Sequence, residues 1–156
     1  MKKLITFFLA LSLFSCNDGD FDVPVFEFTD TVNSCGEYIL YVANSDDTEV
    51  LVLSLNTTHI NNELGEATYS ISSALEVTYR IFEDGIGTDY FCQSIPPTAP
   101  IVLKELSAES GTINITTTET SNGYTYTITI SDLLFNNNDE RILFETLDFG
   151  IFTITL

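Results

Sequence analysis

The 156-residue sequence predicts an all-β fold, a single antiparallel β-sandwich. Two observations carry that reading. Val, Ile and above all Thr are frequent, Trp is absent, and helical periodicity is nearly missing. Short alternating or continuous apolar runs recur between clusters of Gly, Pro, Asn, Asp and Ser, as strands joined by turns require.

The elements follow in order. Phe21 to Phe28 sets Val23 and Val25 against Phe26 and Phe28, and Pro24, which lacks an N–H, assigns it to an edge. Gly36 then breaks the chain. Tyr38–Ala43 and Val50–Leu55 are apolar on both faces and flank Asn44-Ser45-Asp46-Asp47-Thr48, so a hairpin of two central strands is expected. Asn56–Gly65 reads as a loop holding the single histidine, His59, expected at the surface. Ala67–Ser73 is ambiguous. Leu75–Phe82 alternates, with Leu75, Val77, Tyr79 and Ile81 on one face. Glu83–Gly87 is a turn, and Thr88–Gln93 reads as a returning strand that carries Cys92. Pro96, Pro97 and Pro100 make Ile95–Pro100 an extended crossing.

The last third has the clearest pattern. Val102–Ala108 is one strand. Thr112–Thr118 and Tyr124–Ile130 form a hairpin about Thr120-Ser121-Asn122-Gly123, since Asn-Gly tolerates positive φ. Asn136–Asp139 is a turn, and Arg141–Glu145 and Phe149–Leu156 complete nine or ten strands. Tyr90-x-Cys92 with Cys35 upstream is similar to the disulfide and tyrosine corner of immunoglobulin domains, which makes an immunoglobulin-like sandwich one layout. No Trp follows Cys35, however, and 64 residues follow Cys92, so the strand order stays open.

Three segments organise the chain. Residues 1–15 have the parts of a lipoprotein signal peptide: Lys2 and Lys3, the apolar stretch Leu4–Phe14, and small Ser15 before the cut. At 1.5 Å per residue that stretch spans about 16 Å, half a bilayer core, too short for a permanent transmembrane helix. Leu13-Phe14-Ser15-Cys16 is the pattern a lipoprotein signal peptidase reads, so Cys16 is the expected site of lipid attachment. Residues 16–22 would be a lipidated acidic tether and 23–156 the single β domain. If retained, the leader would be a loose apolar helix.

Cys16-Asn17-Asp18-Gly19-Asp20, Phe26-Glu27-Phe28, Cys35, Tyr79-Arg80-Ile81-Phe82, Asp89-Tyr90-Phe91-Cys92 and Ile95-Pro96-Pro97 resemble small flavobacterial (Bacteroidota) outer-membrane lipoproteins about the length of this chain. The resemblance implies an outer-membrane location and, through the acids behind Cys16, display at the cell surface. It implies no activity. Asp30-Thr31-Val32 is also similar to the O-glycosylation site of that phylum.

Composition narrows the function further. Once residues 1–15 are removed, Arg80, Lys104 and Arg141 face 23 acids, a field that repels nucleic acid and anionic headgroups. Three cysteines less the lipidated one leave Cys35 and Cys92, and an exported chain with an even remainder suggests one disulfide.

No catalytic or metal site, and no cofactor, is expected. His59 is the single candidate base for a triad and has no nucleophile motif beside it. A glycosidase needs two placed carboxylates, and with 23 acids some pair always has the spacing. No phosphate loop and no zinc spacing occur. Asp18, Asp20, Asp22 and Asn136–Glu140 offer oxygens for calcium, but neither group has the spacing and central glycine of an EF-hand loop. Asn114, Thr116 and Thr118 share a face, as do Thr125, Thr127 and Thr129. They could form a hydroxyl array for a glycan or ice, although Thr is also ordinary on an exposed strand face.

The expectation is a non-catalytic module, held to the membrane through Cys16, that binds or assembles with an envelope protein or a glycan. A periplasm-facing accessory lipoprotein is the first alternative, and a carboxylate-based glycoside hydrolase the second.

Overall fold

The computed structural model describes residues 27–95, 97–137 and 140–156. The leader, Cys16, the acidic tether and most of the expected first strand lie outside them. Of that strand, Phe28 is described and forms an isolated bridge with Asn44.

Eight strands form one antiparallel sheet: β1 (Asn33–Cys35), β2 (Ile39–Ala43), β3 (Glu49–Ser54), β4 (Gly65–Ser70), β5 (Glu76–Phe82), β6 (Val102–Thr120), β7 (Gly123–Asn137) and β8 (Glu140–Thr155). Their order is β1-β2-β3-β5-β6-β7-β8, with β4 also on β6. The 19-residue β6 explains this branch. Its first half pairs with β5 (Tyr79↔Leu106) and its second half with β4 (Thr68↔Asn114), while β7 takes the opposite edge from Ala108 onward.

The sheet curls into a half-barrel, so its two ends face each other as sandwich layers do. Leu40, Leu51, Leu53 and Val77 from one end share a core with Ile113, Ile115, Tyr126 and Ile128 from the other. Register shifts interrupt the long ladders, in β6 between Ala108 and Thr112 and in the β7–β8 pair at Ile128/Thr129. Bulges bend a strand without ending it.

That property explains why eight strands form where nine or ten are expected. Val102–Ala108 and Thr112–Thr118 are one strand, and Arg141–Glu145 and Phe149–Leu156 are another. The polar intervals Glu109–Gly111 and Thr146–Asp148 resemble turns locally, but pairing to β7 runs through both regions. The ambiguous Ala67–Ser73 stretch resolves into β4.

Thr88–Gln93 is not a strand. Tyr90–Cys92 is a single 3-10 turn, closed by Tyr90 N–H to the Gly87 carbonyl and Cys92 N–H to the Asp89 carbonyl. β5 already pairs with β3 on one edge and β6 on the other, so a returning strand has no edge to take. The segment instead lies over the outer face of the sheet. There Ile86 and Tyr90 pack with Tyr41, Ala43, Val50, Val52 and Phe82 in a second cluster. This is why β2 and β3 are apolar on both faces, with Leu40 and Leu51 in the main core and Tyr41 and Val50 under the lid. Strands adjacent in sequence are mostly adjacent in the sheet, a meander in place of the Greek key of an immunoglobulin domain.

Candidate functional site

The two cysteines expected to pair do meet. Cys35 at the end of β1 and Cys92 in the lid are disulfide-bonded, with Cα atoms 5.0 Å apart. The bond pins the end of the lid to the edge of the sheet. Further contacts hold its middle: Tyr41 Oη donates to the Thr88 carbonyl at 2.8 Å, and Phe91 lies against both Tyr41 and Tyr90. The Arg80 guanidinium sits 5.6 Å from the centre of the Phe91 ring, while its Nε lies 2.7 Å from Glu105 Oε2. That contact is an ion pair rather than an aligned hydrogen bond, since Arg80 Nε meets no partner at hydrogen-bond geometry. The cysteines are therefore structural.

The Thr residues expected to face one way in each of two strands share one surface. On the outer surface of β4-β6-β7-β8 the register sets Thr118 beside Thr125 and Thr125 beside Thr153. The next row is Glu66, Thr116, Thr127 and Ile151; the next is Thr68, Asn114, Thr129 and Asp148; the last is Ser70, Thr112, Ser131 and Thr146. None of these side chains is buried. Two contacts join neighbouring strands within a row: Thr68 Oγ1 donates to Asn114 Oδ1 at 2.8 Å, and Thr125 Oγ1 lies 3.3 Å from Thr153 Oγ1. Period-two alternation puts Ile113, Ile115, Ile128 and Ile130 on the inner face. The result is a surface of hydroxyls with Glu66 and Asp148 as its acids. It can donate and accept hydrogen bonds towards a polyhydroxyl ligand, but strand twist and the curl work against registry with a flat lattice such as ice.

His59 overturns its expected place. It is 8% exposed, not a surface side chain. The Asn56 N–H donates to its Nδ1 at 3.1 Å, which leaves the proton of the neutral ring on Nε2. Burial pushes its pKa below the ordinary value. The ring meets Tyr69 edge-on at 4.7 Å, and Tyr69 Oη donates to the Thr58 carbonyl. Tyr126 Oη donates to Asn62 Oδ1 from inside the core. These contacts fix the Asn56–Leu64 loop over a cavity of about 90 Å³ lined by His59, Tyr69, Ile115 and Thr117. His59 acts as a pin for that loop.

No Asp or Glu is buried among the described residues. Glu49 is half-buried and accepts the Tyr79 hydroxyl at 2.7 Å. Glu76 and Glu109 line a cleft of about 350 Å³ where β4 and β5 part along β6. Of the two calcium candidates, Asp18, Asp20 and Asp22 lie outside the described residues, and Asn136 Nδ2 donates to Glu109 Oε1. Among the described residues no three His, Cys, Asp or Glu side chains gather to hold a metal ion.

Sequence reasoning missed the Tyr79–Glu49 bond and the role of His59. Tyr79 was legible as a core residue, but a tyrosine buried by alternation also needs a hydroxyl partner, and that requirement points to a polar neighbour on the adjacent strand. Nothing local announces His59, whose partners Tyr69 and Asn56 come from different elements.

Comparison of the chain with family models, with curated proteins and with solved structures returned no match.

Proposed function

We propose that this chain is a lipid-anchored envelope protein, attached to the outer membrane through Cys16 and displayed at the cell surface. Its β domain would serve there as a non-catalytic module that binds or assembles with a protein or a glycan. The observation that carries the reading is Leu13-Phe14-Ser15-Cys16 behind Lys2, Lys3 and a short apolar stretch. Two acyl chains would make such an anchor stable. No helix among the described residues is long and apolar enough to cross a membrane. The hydroxyl surface of β4-β6-β7-β8 supports a glycan as one class of ligand, because it presents side-chain donors and acceptors together with little charge.

The acids Asp18, Asp20 and Asp22 favour the surface over the periplasm as the side on which the domain sits. A periplasm-facing accessory lipoprotein keeps the same anchor and loses this address. A carboxylate-based glycoside hydrolase would find paired acids at Glu76 and Glu109, both exposed. Such acids lack the burial that usually makes one of them a general acid.

Metabolic labelling with a radioactive fatty acid tests the anchor. The full-length protein should take up label, and Cys16→Ser should abolish uptake. Label retained in Cys16→Ser would refute lipidation at this residue.

A further inference from the structure

We infer that the cavity under the Asn56–Leu64 loop receives the hydroxymethyl arm of a neutral sugar, held between His59 and Thr117. The inference deepens the binding-module reading and rests on a glycan being its ligand.

Two buried polar side chains converge on this cavity. His59 is 8% exposed and Thr117 6%, so each is more than nine-tenths buried. The Asn56 N–H occupies His59 Nδ1, which leaves the Nε2–H on the other side of the ring. Neither that group nor Thr117 Oγ1 has a hydrogen-bond partner among the described residues, and neither is sealed from open space. Both residues line the cavity of about 90 Å³. Thr117 stands on the inner face with Ile113 and Ile115, and its partner across the β4–β6 pair is Gly65, which brings no side chain over it. Buried polar groups are ordinarily paired, so two that converge unpaired point to a ligand that pairs them. The roof is already fixed by the bonds from Tyr69 to Thr58 and from Tyr126 to Asn62, so little freedom is lost on binding.

These groups select the chemistry of the ligand. Burial holds the His59 ring neutral, and its Nε2–H only donates. The ligand must therefore offer an acceptor, which an ammonium group lacks. Exposed Glu63 also lines the cavity, and the chain carries a net charge of −18, so a carboxylate, sulfate or phosphate is repelled. A neutral hydroxyl meets both demands. It accepts from His59 Nε2–H and donates to Thr117 Oγ1.

Size and rim decide what carries the hydroxyl. About 90 Å³ is room for about three water molecules at about 30 Å³ each. That admits a hydroxymethyl group and stops a sugar ring at the mouth. Ile115 and Tyr69 give the methylene an apolar wall. Leu64 lines the same cavity and is 61% exposed, an apolar surface on which the ring can rest. Apolar walls with a few placed polar groups are the usual build of a small-molecule site.

The test uses the full-length lipidated protein in phosphatidylcholine nanodiscs, which carry no sugar. His59 is the single histidine, so the imidazole nitrogen signals of isotope-labelled protein report this site alone. The probe is methyl β-galactoside. The comparisons are its counterparts with a methyl group or a carboxylate in place of the hydroxymethyl. The galactoside should shift the Nε2 signal saturably, with a Kd in the millimolar range of so small a ligand. Each comparison should bind at least about tenfold more weakly, because it leaves the site's polar groups unpaired or meets its charge. Thr117→Val keeps the shape of the side chain and the thermal midpoint, and should weaken the galactoside several-fold. An unmoved Nε2 signal, equal binding of either comparison, or the parent affinity in Thr117→Val overturns the proposal. The Asn114 side-chain amide reports separately on the hydroxyl surface. A shift there with His59 unmoved keeps a glycan as ligand and overturns this cavity as its site.

Discussion

Tyr79 Oη donates to Glu49 Oε2 at 2.7 Å across the β3–β5 pair, and this bond allows a tyrosine hydroxyl to enter the main core. Glu49 stands opposite Ile81, so Tyr79 reaches it on the diagonal, two residues off its own partner Leu51. Burial first, and the Glu49 carboxylate second, push the hydroxyl pKa far above its ordinary value of 10.0.

Tyr79→Phe should therefore lower stability by about 1 to 2 kcal/mol, the cost of leaving a half-buried carboxylate without its donor. The sign with pH follows from the raised pKa. The contribution is complete below pH 10 and is lost above it, because the unfolded chain ionises first. Urea unfolding at pH 8 and pH 11 should show a smaller loss with alkali in Tyr79→Phe than in the parent.

His59 predicts an acid-side effect of opposite sense. Its folded pKa lies below the ordinary 6.5, so the unfolded chain takes up the proton first. Stability is fully present above pH 6.5 and falls as pH drops below it. Asn at position 59 keeps an oxygen that can accept the Asn56 N–H and has no proton to gain. Denaturation midpoints measured from pH 5 to 7.5 should show a flatter profile for His59→Asn than for the parent.

Replacing both members of the disulfide, Cys35→Ser with Cys92→Ser, should cost about 4 kcal/mol on the chain-entropy account of a bridge this far apart in sequence. The lid should respond most, since the disulfide is its covalent tie to the sheet and its other ties are the packing of Ile86 and Tyr90 and the contacts of Tyr41, Phe91 and Arg80. Hydrogen exchange at Tyr90 and Cys92 should accelerate more than at Ile128 in the main core.

Among the described glycines, Gly123 is the one where a Cβ would come closest to another atom. A Cβ there would lie 1.9 Å from the Ile154 carbonyl oxygen, at φ +152. Gly123→Ala must move β8 away from β7 at the pair Gly123↔Thr155. A loss above about 3 kcal/mol is expected, in the range of severe overpacking. Thermal unfolding of Gly123→Ala beside Gly36→Ala, where a Cβ meets open space, isolates crowding from left-handed backbone.

The sequence pattern located most strands and mistook several boundaries. β2 and β3 were legible because an apolar run on both faces needs cover on both. The cover over Tyr41 and Val52 was mistaken for a strand, since Thr88–Gln93 has strand-forming residues and its exclusion depends on edges filled elsewhere. The Asn122-Gly123 signal marked the right hairpin, but Thr120↔Gly123 pairing puts Gly123 in the ladder, where it gives way to β8. The hydroxyl face was legible as alternation within strands, while its rows exist only through register.

Protease shaving of intact cells, with blotting for the β domain and a periplasmic protein as a control left uncut, tests the central claim most directly. A domain anchored at the outer surface through Cys16 is lost from whole cells. A domain that survives on intact cells and is cut only after lysis faces the periplasm, and that result contradicts surface display.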